Sequence, residues 1–221
     1  MKFFLDSAKV DEISYALEMW NLDGVTTNPK HIQVAGKSFM QAARDVVALF
    51  KGTDKTVSLE VNPHFDRYQD MVAEAQKLVE LAPETIVIKL PATDAGFKSI
   101  VELKKLGIRS NLTLVFSATQ ALQAMRMGAF YVSPFTGWKE ANAEETVGMI
   151  HDIVTIRDNY GFETEVLVAA LRNGRQIADA AVAGADIVTA GFQVYKDAFD
   201  HPYTHVGLGK FQSFWDQTPY E

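Results

Sequence analysis

Apolar and β-branched residues gather into eight short runs along the chain: Lys2–Asp6, Gly24–Asn28, Thr56–Val61, Thr85–Leu90, Arg109–Phe116, Ala129–Phe135, Thr164–Leu171 and Asp186–Ala190. Their starts fall 22, 32, 29, 24, 20, 35 and 22 residues apart, which leaves room for one helix and two short loops in each interval. Within these intervals apolar positions recur with the helical period over Val10–Trp20, Ser38–Phe50, Arg67–Leu81, Ala95–Leu106, Ala118–Met127, Glu144–Tyr160 and Arg175–Ala183. Three of these stretches run into a glycine, in LGIRSN, MGAFYV and AGADIV, where a helix would end and a strand begin. A strand and a helix repeated eight times predict an α/β fold, a single (β/α)8 TIM barrel over residues 1–221. Thr204–Gln217 carries Leu208, Phe211, Phe214 and Trp215 at roughly helical spacing, which predicts an additional C-terminal helix docked on its own barrel.

An open, doubly wound sheet alternates strands and helices in the same way. Such sheets place a glycine-rich phosphate loop after the first strand, but here that strand runs into Asp6-Ser7-Ala8-Lys9, with no GxGxxG and no GxxxxGK[ST]. The closed barrel is therefore the expectation.

Composition narrows the function classes. Cysteine is absent, which excludes disulfides, thiolate metal sites and a cysteine nucleophile. With 21 basic and 28 acidic residues the net charge is −7, which disfavours a non-specific grip on nucleic acid or anionic membrane. No apolar run approaches the ~20 residues of a membrane span. The opening MKFFLD turns acidic within six residues, unlike a secretory leader, so a cytoplasmic location is expected. The five histidines read as loop residues; His201 and His205 stand i, i+4, but Pro202 argues against a helix that turns both toward a metal, and no metal site is expected.

In a barrel of this kind chemistry collects at the C-terminal ends of the strands. Polar residues follow that division: Asp6, Thr27 and Asn28, Glu60, Lys89 and Ser133 end their strands, Asn111 and Thr113 lie within the fifth strand, and Arg172 follows the seventh. Lys89 interrupts Thr85-Ile-Val-Ile-Lys-Leu, where alternation sets Thr85, Val87 and Lys89 on one face and Ile86, Ile88 and Leu90 on the other. Burial disfavours a charged amine, and a neutral amine is what attacks a ketone to form a Schiff base. The plainer alternative is a structural ion pair with Asp6 or Glu60. Those two carboxylates, on non-adjacent strands, suit separate proton-transfer roles around one cationic centre, or simple charge balance for the lysine.

These residues and their surroundings carry a pattern. FFLDSA with Asp6, GVTTNP with Asn28, IVIKLP with Lys89, NLTLVFSATQAL with Asn111 and Thr113, YVSPF with Ser133 and Phe135, and the late AGADIVT occur in order along the chain. Over essentially its full length the sequence resembles the small transaldolase and fructose-6-phosphate aldolase family of class I Schiff-base barrels. The resemblance implies a cofactor-free enzyme with Lys89 as Schiff-base nucleophile and Asp6 as base for the C4 hydroxyl. Glu60 and Thr113 would position the water that shuttles protons, and Thr27, Asn28, Asn111 and Ser133 would bind the dihydroxyacetone unit. It also implies a homo-oligomer, since a terminal helix in this family can reach a neighbouring subunit. Family members that work mainly as aldolases have glutamine and tyrosine where this chain has Glu60 and Phe135, the pair typical of transaldolases.

One part departs from the family pattern. Phosphate-using relatives have SPFVGR and ASIR, whereas this chain has SPFTGW and AALR, so Trp138 and Ala170 replace an arginine and a serine while Arg172 stays. A phosphate monoester carries roughly −1.5 to −2 charges and favours bidentate arginine clamps. An indole offers one N–H and no charge. The pocket thus resembles that of the sulfofructose transaldolases, with a monoanionic sulfonate as head group. Ordinary phosphate donors are the alternative, if Trp138 only packs the rim and Lys139, Asn173 or Arg175 completes the anion site; a non-catalytic barrel that binds sugar phosphates is a third reading.

Overall fold

The computed structural model describes residues 1–221. Eight parallel strands close into a barrel in chain order: β1 (Lys2–Asp6), β2 (Gly24–Thr26), β3 (Thr56–Glu60), β4 (Ile86–Pro91), β5 (Ser110–Val115), β6 (Tyr131–Pro134), β7 (Glu165–Leu171) and β8 (Ile187–Ala190). β8 pairs back onto β1, which leaves no sheet edge. Around them run α1 (Val10–Trp20), α2 (Pro29–Val34), α3 (Phe39–Ala48), α4 (Tyr68–Val79), α5 (Asp94–Lys105), α6 (Ala118–Met127), α7 (Gly137–Glu140), α8 (Val147–Tyr160), α9 (Gly174–Val182), α10 (Phe192–Phe199) and α11 (Pro202–Trp215). All eight apolar runs are strands, and the seven stretches with helical period are helices. The glycine after α6, Gly128, has φ +87°, the left-handed conformation that ends a helix without a Cβ penalty.

Alternation along each strand sorts the core into two layers. Val87 packs inside the barrel with Phe4, Tyr131, Leu167, Ala169 and Ile187. Ile86, Ile88 and Leu90 of the same strand face outward into the larger cluster between strands and helices. No helix is long and apolar enough to cross a membrane. The unexpected elements lie at the barrel mouth and at the chain's end. α2 and α7 are too short for a periodic signal, and α10 is anchored through Tyr195, whose buried hydroxyl donates to the Phe4 carbonyl at 2.9 Å. α11 forms as predicted but does not dock: none of its residues is buried, and Phe211, Phe214 and Trp215 are exposed. Pro202 occupies its first turn, where the missing N–H costs nothing, so His205 is helical rather than in a loop.

Candidate active site

The C-terminal strand ends surround a cavity of about 540 Å³ whose lining includes Asp6, Glu60, Lys89, Thr113, Ser133 and Arg172. Strand register explains the convergence. Asp6 pairs with Thr26, Glu60 with Lys89 and Lys89 with Asn111, so the polar positions rise to one level around the ring. Lys89 is 3% exposed; its Nζ donates to the Thr27 carbonyl at 3.2 Å and stands 3.7 Å from Glu60 Oε2.

The two carboxyl groups have opposite surroundings. Asp6 Oδ1 accepts from Thr26 Oγ1 at 2.8 Å, and Asp6 Oδ2 lies 3.1 Å from His31 Nε2. Burial alone would raise the Asp6 carboxyl; the His31 bond, the charges of Lys89 and His31, and the Thr26 bond outweigh it and hold Asp6 below the usual carboxylate range. Burial also dominates at Glu60, where the pull of Lys89 does not offset it and the Asp6 charge adds to it, so the Glu60 carboxyl is raised. Two carboxyls pushed apart in this way suit one base and one acid. Thr113 Oγ1 is the one buried side-chain polar atom without a protein partner, and Thr113 lines the cavity.

Thr27 and Asn111 do not line this cavity. Strand alternation turns Thr26 inward and Thr27 away, where the Thr27 hydroxyl donates to the Ser58 carbonyl at 2.9 Å. Asn111 is fully buried beneath the lining; its amide donates to Ser58 Oγ at 3.2 Å and accepts from Ser133 Oγ at 2.7 Å. Asn28 lines the cavity and also caps α2, accepting from the His31 N–H. His31, expected in a loop, sits on that helix against Asp6. Thr26 and His31 are the site residues that sequence reasoning missed. Counting alternation back from Asn28 would have found the first, and only the fold brings the second near.

Over β6 and β7 the rim is built differently. Leu114 and Ala170 have φ of +58° and +60° where the register shifts in β5 and β7, irregularities that interrupt the ladder next to the cavity. The Ala170 carbonyl then approaches Gly137 so closely that a Cβ there would lie 2.1 Å from it, which is why a glycine precedes Trp138. Trp138 is 52% exposed and its ring packs on Phe135 and Phe116, at centroid distances of 5.7 and 6.0 Å. The Arg172 backbone N–H donates to Gln176 Oε1 at 2.6 Å, and Gln176 in turn donates to Glu140 of α7. The Arg172 side chain is exposed, lines the cavity and pairs with no carboxylate, whereas Lys139 pairs with Glu144, Arg175 with Asp179, and Asn173 caps α9. Lys30 lies on the opposite lip. No three of the His, Asp and Glu side chains converge as a metal centre would require.

Residues 3–218 match the family Transaldolase/Fructose-6-phosphate aldolase. The chain belongs to this family. It is a lysine Schiff-base enzyme of the transaldolase and aldolase kind, on the barrel the sequence predicts. A 6-deoxy-6-sulfo-D-fructose transaldolase of Priestia aryabhattai is 52% identical over 219 residues, which cover 99% of this chain and 96% of its own. One of the same description from Priestia megaterium matches equally. A probable transaldolase of Aquifex aeolicus is 42% identical over 221 residues, which cover 99% of this chain and 98% of that protein.

Proposed function

We propose that the whole chain works as one catalytic unit that transfers a dihydroxyacetone group from 6-deoxy-6-sulfofructose to an aldehyde such as glyceraldehyde 3-phosphate. The observation that carries this reading is the unpaired Arg172 guanidinium beside Trp138, with the neighbouring cations of the rim spent on Glu144 and Asp179. Lys30 stands on the opposite lip, so over β6 and β7 the rim offers one guanidinium with neutral donors, which matches a monoanionic sulfonate better than a more highly charged phosphate. The likeness to two sulfofructose transaldolases supports the same donor.

Lys89 Nζ, once its ammonium proton has passed to Glu60, attacks the C2 ketone, and the Glu60 carboxyl returns that proton to the departing hydroxyl as water leaves the carbinolamine. Thr113 Oγ1 and Glu60 orient that water. Asp6, an ionised carboxylate, then takes the C4 hydroxyl proton. The C3–C4 bond breaks, its electron pair moves to the iminium nitrogen, and C4 becomes the carbonyl of the released sulfolactaldehyde. What remains is a neutral enamine on Lys89 and a protonated Asp6. The enamine attacks the acceptor aldehyde, Asp6 returns its proton to the new alkoxide, and water releases the product ketose from the lysine. Asn28 and Ser133, the latter oriented by Asn111, hold the hydroxyls of the three-carbon unit. Phe135 presents no proton donor to the enamine, which favours waiting for an acceptor over hydrolysis.

Borohydride with 6-deoxy-6-sulfofructose is expected to add ligand mass at Lys89. No added mass in the wild type, or the same added mass in Lys89→Ala, contradicts the reading. A homo-oligomer belongs to the same proposal, because α11 buries none of its residues and leaves Val206, Leu208, Phe211, Phe214 and Trp215 exposed. A monomer by sedimentation at micromolar concentration would remove that part.

A further inference from the structure

Donor cleavage requires Asp6 to be ionised and its carboxylate plane to be fixed against the C4 hydroxyl. Both oxygens are pinned, Oδ1 by Thr26 and Oδ2 by His31. Rotation of the carboxylate would break both contacts. Thr26 is held in turn by Thr189, with the hydroxyl oxygens 2.7 Å apart, so the Oδ1 side is a chain of neutral hydroxyls. The Oδ2 side is a single ionisable ring on α2, and the Asn28 side chain fixes the first turn of that helix by accepting from the His31 N–H at 3.1 Å. His31 also stands between the main cavity and a side cavity of about 300 Å³, and Asp6, Lys30 and Gly191 line both.

We propose that His31 is a positioning residue for carbon–carbon cleavage: its ring holds Asp6 Oδ2 and orients the carboxylate while the donor is bound. The proposal rests on the reading of Asp6 as the cleavage base. Other charged or titratable groups also face Asp6. Lys89 of β4 and Glu60 of β3 share the cavity, and the Tyr195 hydroxyl of α10 feels the Asp6 charge. Lys9 and Glu12 line the side cavity but pair with each other, while Lys30 has no carboxylate partner. Among these groups His31 is the one in direct contact with an Asp6 oxygen. Imine formation at Lys89 does not use that oxygen, so His31 governs the second step and leaves the first alone.

The test compares His31→Leu and His31→Gln with wild type in three readouts: borohydride trapping at Lys89, single-turnover release of the aldehyde, and the pH profile of kcat/KM. His31→Leu is expected to trap donor as wild type does, to release aldehyde on the order of ten- to a hundredfold more slowly, and to move the acid limb of the profile to higher pH. The direction follows from the sign at Asp6: the His31 bond lowers its pKa, so removing the bond raises the pH below which the base is protonated. His31→Gln restores an N–H at the same reach and is expected to recover most of the lost rate. If the leucine variant folds poorly, His31→Phe keeps the ring shape without nitrogens and gives the same comparison. Wild-type release with an unmoved acid limb overturns the proposal, as does equal loss of trapping and cleavage. Failure of wild type itself to trap the donor or release aldehyde defeats the proposed function instead, so the two failures are distinguishable.

Discussion

The floor and the rim of the cavity are held in opposite ways. On the floor the strand ends tie nearly every polar group to another: Asp6 to Thr26 and His31, Lys89 to Thr27 and Glu60, Ser133 to Asn111 and Asn111 to Ser58. On the rim over β6 and β7, Arg172 and Trp138 stand in solvent on strand and helix ends, with their backbones fixed and their polar tips free of protein partners. A floor bonded this way performs one chemistry with little tolerance, because any change leaves a buried group unpaired. The rim admits substitution, because an exposed side chain leaves no such orphan. Head-group preference can therefore change at Trp138 while the steps of bond making and breaking stay the same.

The sharpest way to break this division is at Asp6. Asp6→Asn is expected to keep imine formation and lose about two to four orders of magnitude in cleavage, since the amide accepts no proton. Donor trapped intact on Lys89, with no aldehyde released, is the result that checks it. Normal turnover in this variant would show that the base lies elsewhere.

How much of this division was legible from the chain differs between floor and rim. Lys89 stood out because a charge in the midst of Ile-Val-Ile-Lys-Leu has no solvent to reach on either face of a barrel strand. Asp6 and Glu60 followed from their places at strand ends. Trp138 and Ala170 were visible only against the family's own pattern. His31 was hidden because α2 has six residues, too few for a period, and its contact with Asp6 joins the first strand to the helix after the second. The φ of Leu114 and Ala170, which shapes the rim, leaves no mark in residue type, since neither is a glycine. The apolar spacing of α11 predicts the helix but not its place, because such spacing says nothing of which surface covers it, and none of its residues is buried.

The rim gives a smaller expected effect. Arg172→Ala removes a charge-assisted contact and is expected to lower kcat/KM by roughly ten- to a hundredfold for sulfonate and phosphate donors alike. Trp138→Arg adds a second guanidinium and should move the donor ratio about tenfold toward phosphate. Steady-state kinetics on both donors separates the two outcomes. A Trp138→Arg variant with an unchanged ratio would mean that the rim does not read charge.

Thr113 sharpens the comparison from the floor at the smallest scale. Its buried hydroxyl has no protein partner, so Thr113→Val should leave the fold equally stable or stabilise it by up to about 1 kcal/mol, measured as a denaturation midpoint. The same variant should slow imine formation, seen as a lower rate of borohydride-trappable adduct. A loss of stability would show that the hydroxyl bonds within the fold.

The most direct test of the central claim is the wild-type ratio of kcat/KM for 6-deoxy-6-sulfofructose over fructose 6-phosphate, with glyceraldehyde 3-phosphate as acceptor in the first case and erythrose 4-phosphate in the second. A rim with one unpaired guanidinium beside Trp138 predicts a ratio above one. A ratio below one would contradict the sulfonate reading and leave a transaldolase floor under a rim that serves phosphate donors.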